Sequence, residues 1–245
     1  MDLLSVVSLA VLILAAALLY ASVGHAGASG YLAAMALFGV APQVMKPTAL
    51  ALNILVATIA FIKFYRAKCF SWYIFWPFAA GAVPFAFIGG SLTLPDSTYK
   101  IVVGLILLYA AVRLFQTTLQ EQNIIKPAPL GAAIVAGVGI GLLSGLTGVG
   151  GGIFLSPLLL LMGWAETRVT SGVSAAFILV NSVAGLLGHV SSVSVLPASI
   201  PLWMLAAGTG GWIGAEYGSK KFSSSTLRRL LSIVLVIAGL KLMFF

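Results

Sequence analysis

Apolar runs of bilayer-crossing length follow one another along nearly the whole chain, with scarcely a charge between them. Of 245 residues, 61% are hydrophobic and 7% charged, whereas a soluble domain carries about 25% charged residues on its surface. Roughly 20 apolar residues cross a ~30 Å hydrocarbon core as a helix. The length therefore allows about eight to ten crossings and leaves no room for an extramembrane domain. Backbone groups in hydrocarbon must satisfy one another, and a helix does so within one segment. The expected fold class is an all-α polytopic membrane protein.

Gly, Pro and charged residues punctuate the chain into ten segments, at about 3–21, 30–40, 47–63, 71–92, 98–115, 130–144, 152–163, 169–188, 199–218 and 226–244. The longest polar run is only Gln116 to Pro129. The first segment follows Met1 and Asp2 without a basic n-region and leads into more membrane, so it reads as a retained helix, not a cleaved signal. Segments 30–40 and 152–163 are too short to span, since a dozen helical residues rise only ~18 Å. They read as short or re-entrant helices.

The two short segments occupy matching places, which points to an internal repeat. A slide of 122 residues pairs Ser22 with Ser144, Gly30 with Gly152, Lys46 with Arg168 and Thr48 with Thr170. A slide of 128 pairs Ala82, Ala86 and Gly90 with Gly210, Gly214 and Gly218, a stripe suited to close helix packing. Thr98, Lys100 and Arg113 then match Thr226, Arg228 and Lys241. The expected layout is a first membrane repeat over 1–120, a cytoplasmic linker over 121–129 and a second repeat over 130–245, in one integral membrane domain.

The net charge of +8 would suggest nucleic acid in a soluble protein. Here the basic residues lie between apolar segments, where they orient membrane proteins, and nucleic acid is excluded as a partner. With the Lys63 to Lys68 loop inside, alternation puts ten basic residues inside and Lys46, Lys100 and Lys241 outside. Five segments per half is an odd number, so the second half enters from the opposite side. The repeats are inverted, with both termini outside. The lone Cys69 reads as an incidental thiol.

In inverted-repeat transporters, short or broken helices near the midplane aim their N-termini at anionic groups. Here Gly24 to Gly30 opens one short segment, and Thr147 to Gly152 opens the other. Free N–H groups at a positive dipole end make an anion cradle, and glycine lets the ligand approach the backbone. The substrate-binding candidates are Gly27, Ser29, Gly30, Thr147, Gly150, Gly151 and Gly152. A shell of neutral hydroxyls and amides after each short helix adds Thr48, Asn53, Thr170, Ser171, Ser174 and Asn181. The plainer readings are tight turns, and hydroxyls bonded back to their own helix.

Lys46 and Arg168, at opposite mouths, are candidates for anion attraction, or else snorkelling anchors. His25 and Glu216 are candidates for proton coupling, against a structural histidine and a Glu216–Lys220 ion pair. No HExxH, GxSxG or clustered His and Cys ligands occur, so neither an enzyme nor a metal site is expected. No cofactor is implied.

The motifs SVGHAGASGY and SGLTGVGGGIF, each following an apolar helix in a duplicated chain, resemble the paired Gly-rich motifs of the sulfite exporter TauE/SafE family of membrane transporters. The resemblance covers essentially the whole chain. It implies export of sulfite, organosulfonates or other small organic anions such as carboxylates across a bacterial cytoplasmic (inner) membrane. The expected function is thus a secondary transporter working by alternating access, with a small anion, protons and the lipid bilayer as partners and homo-oligomerisation left open. A passive anion channel and a non-transporting assembly subunit are the alternatives.

Overall fold

The computed structural model describes residues 2–116, 126–189 and 196–220, with Val236, Leu240 and Met243 beyond them. The predicted tenth segment therefore lies almost wholly outside the described residues, as do 121–125 of the predicted linker. The described helices are α1 (Leu3–Ala21), α2 (Ala28–Leu37), α3 (Pro42–Arg66), α4 (Trp72–Ser91), α5 (Asp96–Gln116), α6 (Leu130–Thr147), α7 (Gly152–Leu161), α8 (Thr167–Gly188) and α9 (Ile200–Lys220). No strand occurs among the described residues. Five of these helices, α1, α3, α4, α6 and α8, are long and apolar enough to cross a membrane.

Most predicted segments reappear within a few residues, and α3 differs for a local reason. It starts at Pro42, which suits a first helical position because its missing N–H has no partner there anyway. Pro47 then falls in the second turn and removes one hydrogen bond without ending the helix.

The short helices α2 and α7 have ten residues each, or roughly 15 Å of rise. Both begin after a left-handed glycine, Gly27 (φ +110°) or Gly151 (φ +81°). Both end in the same way: Gly39 (φ +67°) and Gly163 (φ +65°) turn the chain back, and Val40 and Trp164 donate to the carbonyls of Met35 and Leu159. These matching ends lie 124 residues apart, so Gly151, and not Val149, is the counterpart of Gly27. The slide of 122 is two residues out of register here.

The principal helix contacts are α1 with α9, α4 with α6, α4 with α8, α3 with α8 and α3 with α9. Exchanging α1 for α6, α3 for α8 and α4 for α9 leaves that set unchanged. Helices in lipid gain no hydrophobic driving force from meeting, so they associate by close approach. Gly210, Gly214 and Gly218 of α9 lie against the carbonyls of Leu14 and Leu18 of α1 and of its C-cap Ser22, and Gly137, Gly141 and Gly145 of α6 against those of Phe78, Ala82 and Ala86 of α4. A Cβ at any of the six would stand 1.9–2.4 Å from a carbonyl oxygen.

Two basic side chains close equivalent helix ends. The Lys46 ammonium donates to the carbonyls of Gly89 (3.3 Å), Gly90 (2.9 Å) and Leu92 (3.2 Å) at the C-terminus of α4. Arg168 donates to the Ser219 carbonyl (2.6 Å) at the C-terminus of α9. Cations belong there because the last carbonyls lack partners and carry the negative dipole end. The two caps sit toward opposite ends of α3. Lys46 is near its start, while Lys63, roughly 25 Å along the axis, pairs with Glu216 one turn before Ser219.

Gly214→Val should separate α1 from α9 and lower the melting temperature of the detergent-solubilised protein by many degrees. Gly139, with nothing within 4 Å of an added Cβ, is the control: Gly139→Ala should leave stability unchanged or raise it by up to about 1 kcal/mol, because alanine is the better helix former. Equal melting of the two variants would contradict the packing argument.

Candidate functional site

The structure brings the two Gly-rich turns into contact. The His25 imidazole of the first turn reaches the second half: Nε2 lies 3.0 Å from the Gly152 carbonyl and 3.1 Å from Ser156 Oγ, while Nδ1 lies 3.2 Å from the Val23 carbonyl. Ser156 Oγ continues to Ser174 Oγ at 2.6 Å. A polar chain thus runs from the first turn through α7 to α8. Around it, Tyr31 donates its hydroxyl to the Ala26 carbonyl, Ser29 donates to Tyr20 (3.1 Å) and Tyr99 of α5 donates to the Thr147 carbonyl (3.1 Å).

A small cavity lies between the turns, lined by Tyr20, His25, Gly27, Ser29, Val149 and Ile153 among others, with Ile178 of α8 behind. Its free volume is only about 10 Å³, about enough for one water and far below the ~300–1,000 Å³ of drug-sized ligand sites. The N-terminal ends of α2 and α7 both border it. Left-handed φ is needed at Gly148, Gly150 and Gly151 in succession (+81° to +82°). Glycine adopts that conformation without steric cost.

The hydroxyls and amides after the short helices fall into two groups. Thr147 and Ser171 bond back to the carbonyls of Leu143 (2.7 Å) and Thr167 (3.1 Å) on their own helices, and Ser174 is taken up by Ser156. Thr48, Asn53, Thr170 and Asn181 are buried with no hydrogen-bond partner for their side chains, and Ser144 and Ser182 are in the same condition. Leaving such a group unpaired costs about 1–3 kcal/mol, more than packing alone explains. Four of these six lie on two packed helices, Thr48 and Asn53 on α3 and Thr170 and Asn181 on α8.

Ser144 entered the sequence reading only as a repeat match, and Ser182 not at all. The signal for Ser182 was present: at i+4 and i+8 from Ser174, Ile178 and Ser182 share one face of α8. Its hydroxyl also lies near Gly150, where an added Cβ would meet Asn53 Nδ2 at 2.6 Å and Ser182 Oγ at 3.2 Å. Gly30 packs on Ala16 and Tyr20 of α1, and Gly152 on Ile178 and His25.

Lys46 touches the second turn at Gly148 through its backbone and stem, but the charged ends of the predicted candidates are bonded elsewhere. Lys46 is 4% exposed and its ammonium is bonded to the end of α4, which puts it inside the protein and not at an open mouth. Arg168 is exposed and bonded to the end of α9. Glu216 pairs with both Lys63 and Lys220, and Lys63 also sits 3.8 Å over the Trp212 ring. No group of three or more His, Cys, Asp or Glu able to hold a metal occurs among the described residues.

Apolar helices long enough to span a bilayer, packed around buried polar side chains, define an integral membrane protein. The family model for the sulfite exporter TauE/SafE matches residues 9–242, and the chain belongs to that family. It is 43% identical over 241 residues to the probable membrane transporter protein y4hK of Sinorhizobium fredii, covering 97% of this chain and 98% of that one. It is 28% identical over 233 residues to the probable membrane transporter protein YunE of Bacillus subtilis, covering 84% and 82%. No solved structure matches.

Removing an unpaired buried polar group can be neutral or favourable, whereas removing a donor from three carbonyls is not. Asn181→Ala should therefore melt within a few degrees of the parent protein in detergent. Lys46→Met should be destabilised by about 2–3 kcal/mol, with Lys46→Arg recovering part of the loss. A large loss in Asn181→Ala would mean that the amide has a structural partner.

Proposed function

We propose that the protein is a secondary transporter that exports small oxygen-rich anions, such as sulfite, organosulfonates or carboxylates, across a bacterial inner membrane. The observation that carries the reading is the set of buried, unpartnered amides and hydroxyls on two packed helices, Thr48 and Asn53 of α3 and Thr170 and Asn181 of α8. Such groups supply hydrogen bonds without full charge, which suits a solute that must bind and then leave. Family membership and the names of the relatives as probable membrane transporter proteins support the transport class.

Alternating access follows from two inverted repeats, 1–120 and 130–245, rocking about the contact between the Gly-rich turns. The exchange symmetry of the helix contacts and the caps toward opposite ends of α3 favour that arrangement. The basic bias of the loops places both termini outside. In this reading Gly27, Ser29 and Gly30 on one side, and Gly150, Gly151 and Gly152 on the other, border the anion path, and the small cavity corresponds to a closed state.

The test is flux in proteoliposomes. A carrier should show saturable uptake of sulfite or a sulfonate, and acceleration by substrate on the far side. Unsaturable conductance would indicate a channel, and no flux would indicate an assembly subunit. Asn53→Asp keeps the shape and adds a like charge. It should reduce flux at least tenfold, the equivalent of about 1.4 kcal/mol. Gly150→Ala should also slow transport, because its methyl meets the Asn53 amide in a strained backbone, while Gly139→Ala should retain parental flux.

A further inference from the structure

We infer that His25 is a proton-binding site that ties the two Gly-rich turns together, so that one proton is exchanged for each anion exported. The inference rests on the transport reading above and names its coupling ion. The His25 ring reaches a carbonyl on each side. Nδ1 lies 3.2 Å from the Val23 carbonyl of its own turn, and Nε2 lies 3.0 Å from the Gly152 carbonyl at the start of α7. Carbonyl oxygens only accept, and a neutral imidazole has one N–H to give. Imidazolium has two, and satisfies both.

Ser156 Oγ, 3.1 Å from Nε2 and 2.6 Å from Ser174 Oγ, accommodates either state. Beside imidazolium its hydroxyl donates to Ser174 while Nε2–H donates to Gly152. Once the proton leaves Nε2, the ring nitrogen accepts from Ser156 and the Gly152 carbonyl loses this donor. Either state joins the halves, but the protonated one holds them more tightly, because a charge-assisted hydrogen bond is roughly twice as strong as a neutral one.

The titratable groups facing this junction come from several helices. They are Tyr20 of α1, whose ring meets the His25 ring edge-on at 6.4 Å, Tyr31 of α2 on the Ala26 carbonyl, Tyr99 of α5 on the Thr147 carbonyl and Lys46 of α3, with its ammonium at the end of α4. From α7 and α8 come Ser156, Ser174 and Ile178, while Arg168 of α8 is bonded to the end of α9. Of these side-chain types, imidazole is the one that ordinarily changes charge between pH 5 and 8.

The direction of coupling follows from space. His25 lines the cavity between the turns, which has room for about one water and none for an oxyanion. An anion enters only when this contact opens, whereas a proton on His25 holds it shut. Proton and anion therefore disfavour one another, and linkage makes the effect reciprocal. A carrier that crosses with a proton on one leg and an anion on the other exchanges the two.

The experiment uses proteoliposomes of the full chain with methanesulfonate, a monoanion throughout, at equal concentration inside and out. The interior is made acidic and the membrane potential is clamped with potassium and valinomycin. The parent should concentrate methanesulfonate in the acidic interior, toward about tenfold per pH unit for one-for-one exchange. His25→Asn, compared at equal counterflow of labelled methanesulfonate, should concentrate none. At symmetrical pH, the half-saturating concentration in the parent should rise about tenfold from pH 8 to pH 5. Ser156→Ala removes the donor to neutral Nε2 and leaves Gly152 for the charged form, so the midpoint of that rise should move up by roughly half to one pH unit.

Methanesulfonate that exchanges across the parent membrane without being concentrated, or that gathers on the alkaline side, would overturn the inference. So would accumulation by His25→Asn, or a Ser156→Ala midpoint at or below that of the parent. If His25→Asn carries no counterflow, the Ser156→Ala midpoint decides. Absence of counterflow in the parent with both methanesulfonate and sulfite would instead defeat the transport reading itself, and this inference with it.

Discussion

Inside a bilayer no water is available to complete a hydrogen bond, so every polar group must find its partner within the protein. That requirement accounts for the helices and also for their ends. The last carbonyls of α4 are closed by the buried Lys46 and those of α9 by Arg168. The first Gly-rich turn is closed by Tyr31, and the end of α6 by Tyr99. Where a protein is this thorough, the exceptions carry information. Among the described residues six buried side chains have no partner, and under the proposed function an occupant that comes and goes supplies it.

The second organising fact is that neither half is built alone. Gly24 of the first turn packs against the Ser171 backbone of α8, and Gly148 of the second turn against Lys46 of α3. His25 reaches across to Gly152. Each Gly-rich turn is thus seated on a helix from the other half of the chain. The glycines fit this role twice over, since positive φ makes the turns and the missing Cβ lets backbone rest on backbone.

Much of this was legible in the sequence because apolar content, punctuation and charge bias are local properties. The two short helices could be located because a run too short to span stands out among longer ones. The role of Lys46 was not legible. Its charge placed it at a membrane surface, whereas its partners are the carbonyls of a helix that begins 26 residues later, and no local pattern encodes that contact. The repeat register failed for a different reason. Matching residue types aligned Gly30 with Gly152, but the turns are defined by positive φ, which Gly27 and Gly151 adopt and Gly30 does not. Ser182 was missed because the neighbouring Asn181 drew the argument, though the helical period puts Ser182 on the same face as Ser174.

Under the proposed function, a site made of neutral amides and hydroxyls also resolves a tension in anion transport. A cationic side chain at the centre would bind an anion strongly and, in a low dielectric, hold it there. It would also be a buried charge in need of a partner whenever the site stood empty. Amides and hydroxyls avoid both difficulties, since an unpaired hydroxyl costs far less than an unpaired ammonium. The positive charge is instead placed at the helix ends, where Lys46 and Arg168 have permanent carbonyl partners. Under the proposed function, separating permanent charge pairing from transient hydrogen bonding would let the site stand empty at modest cost, as a carrier requires in every cycle that returns without cargo.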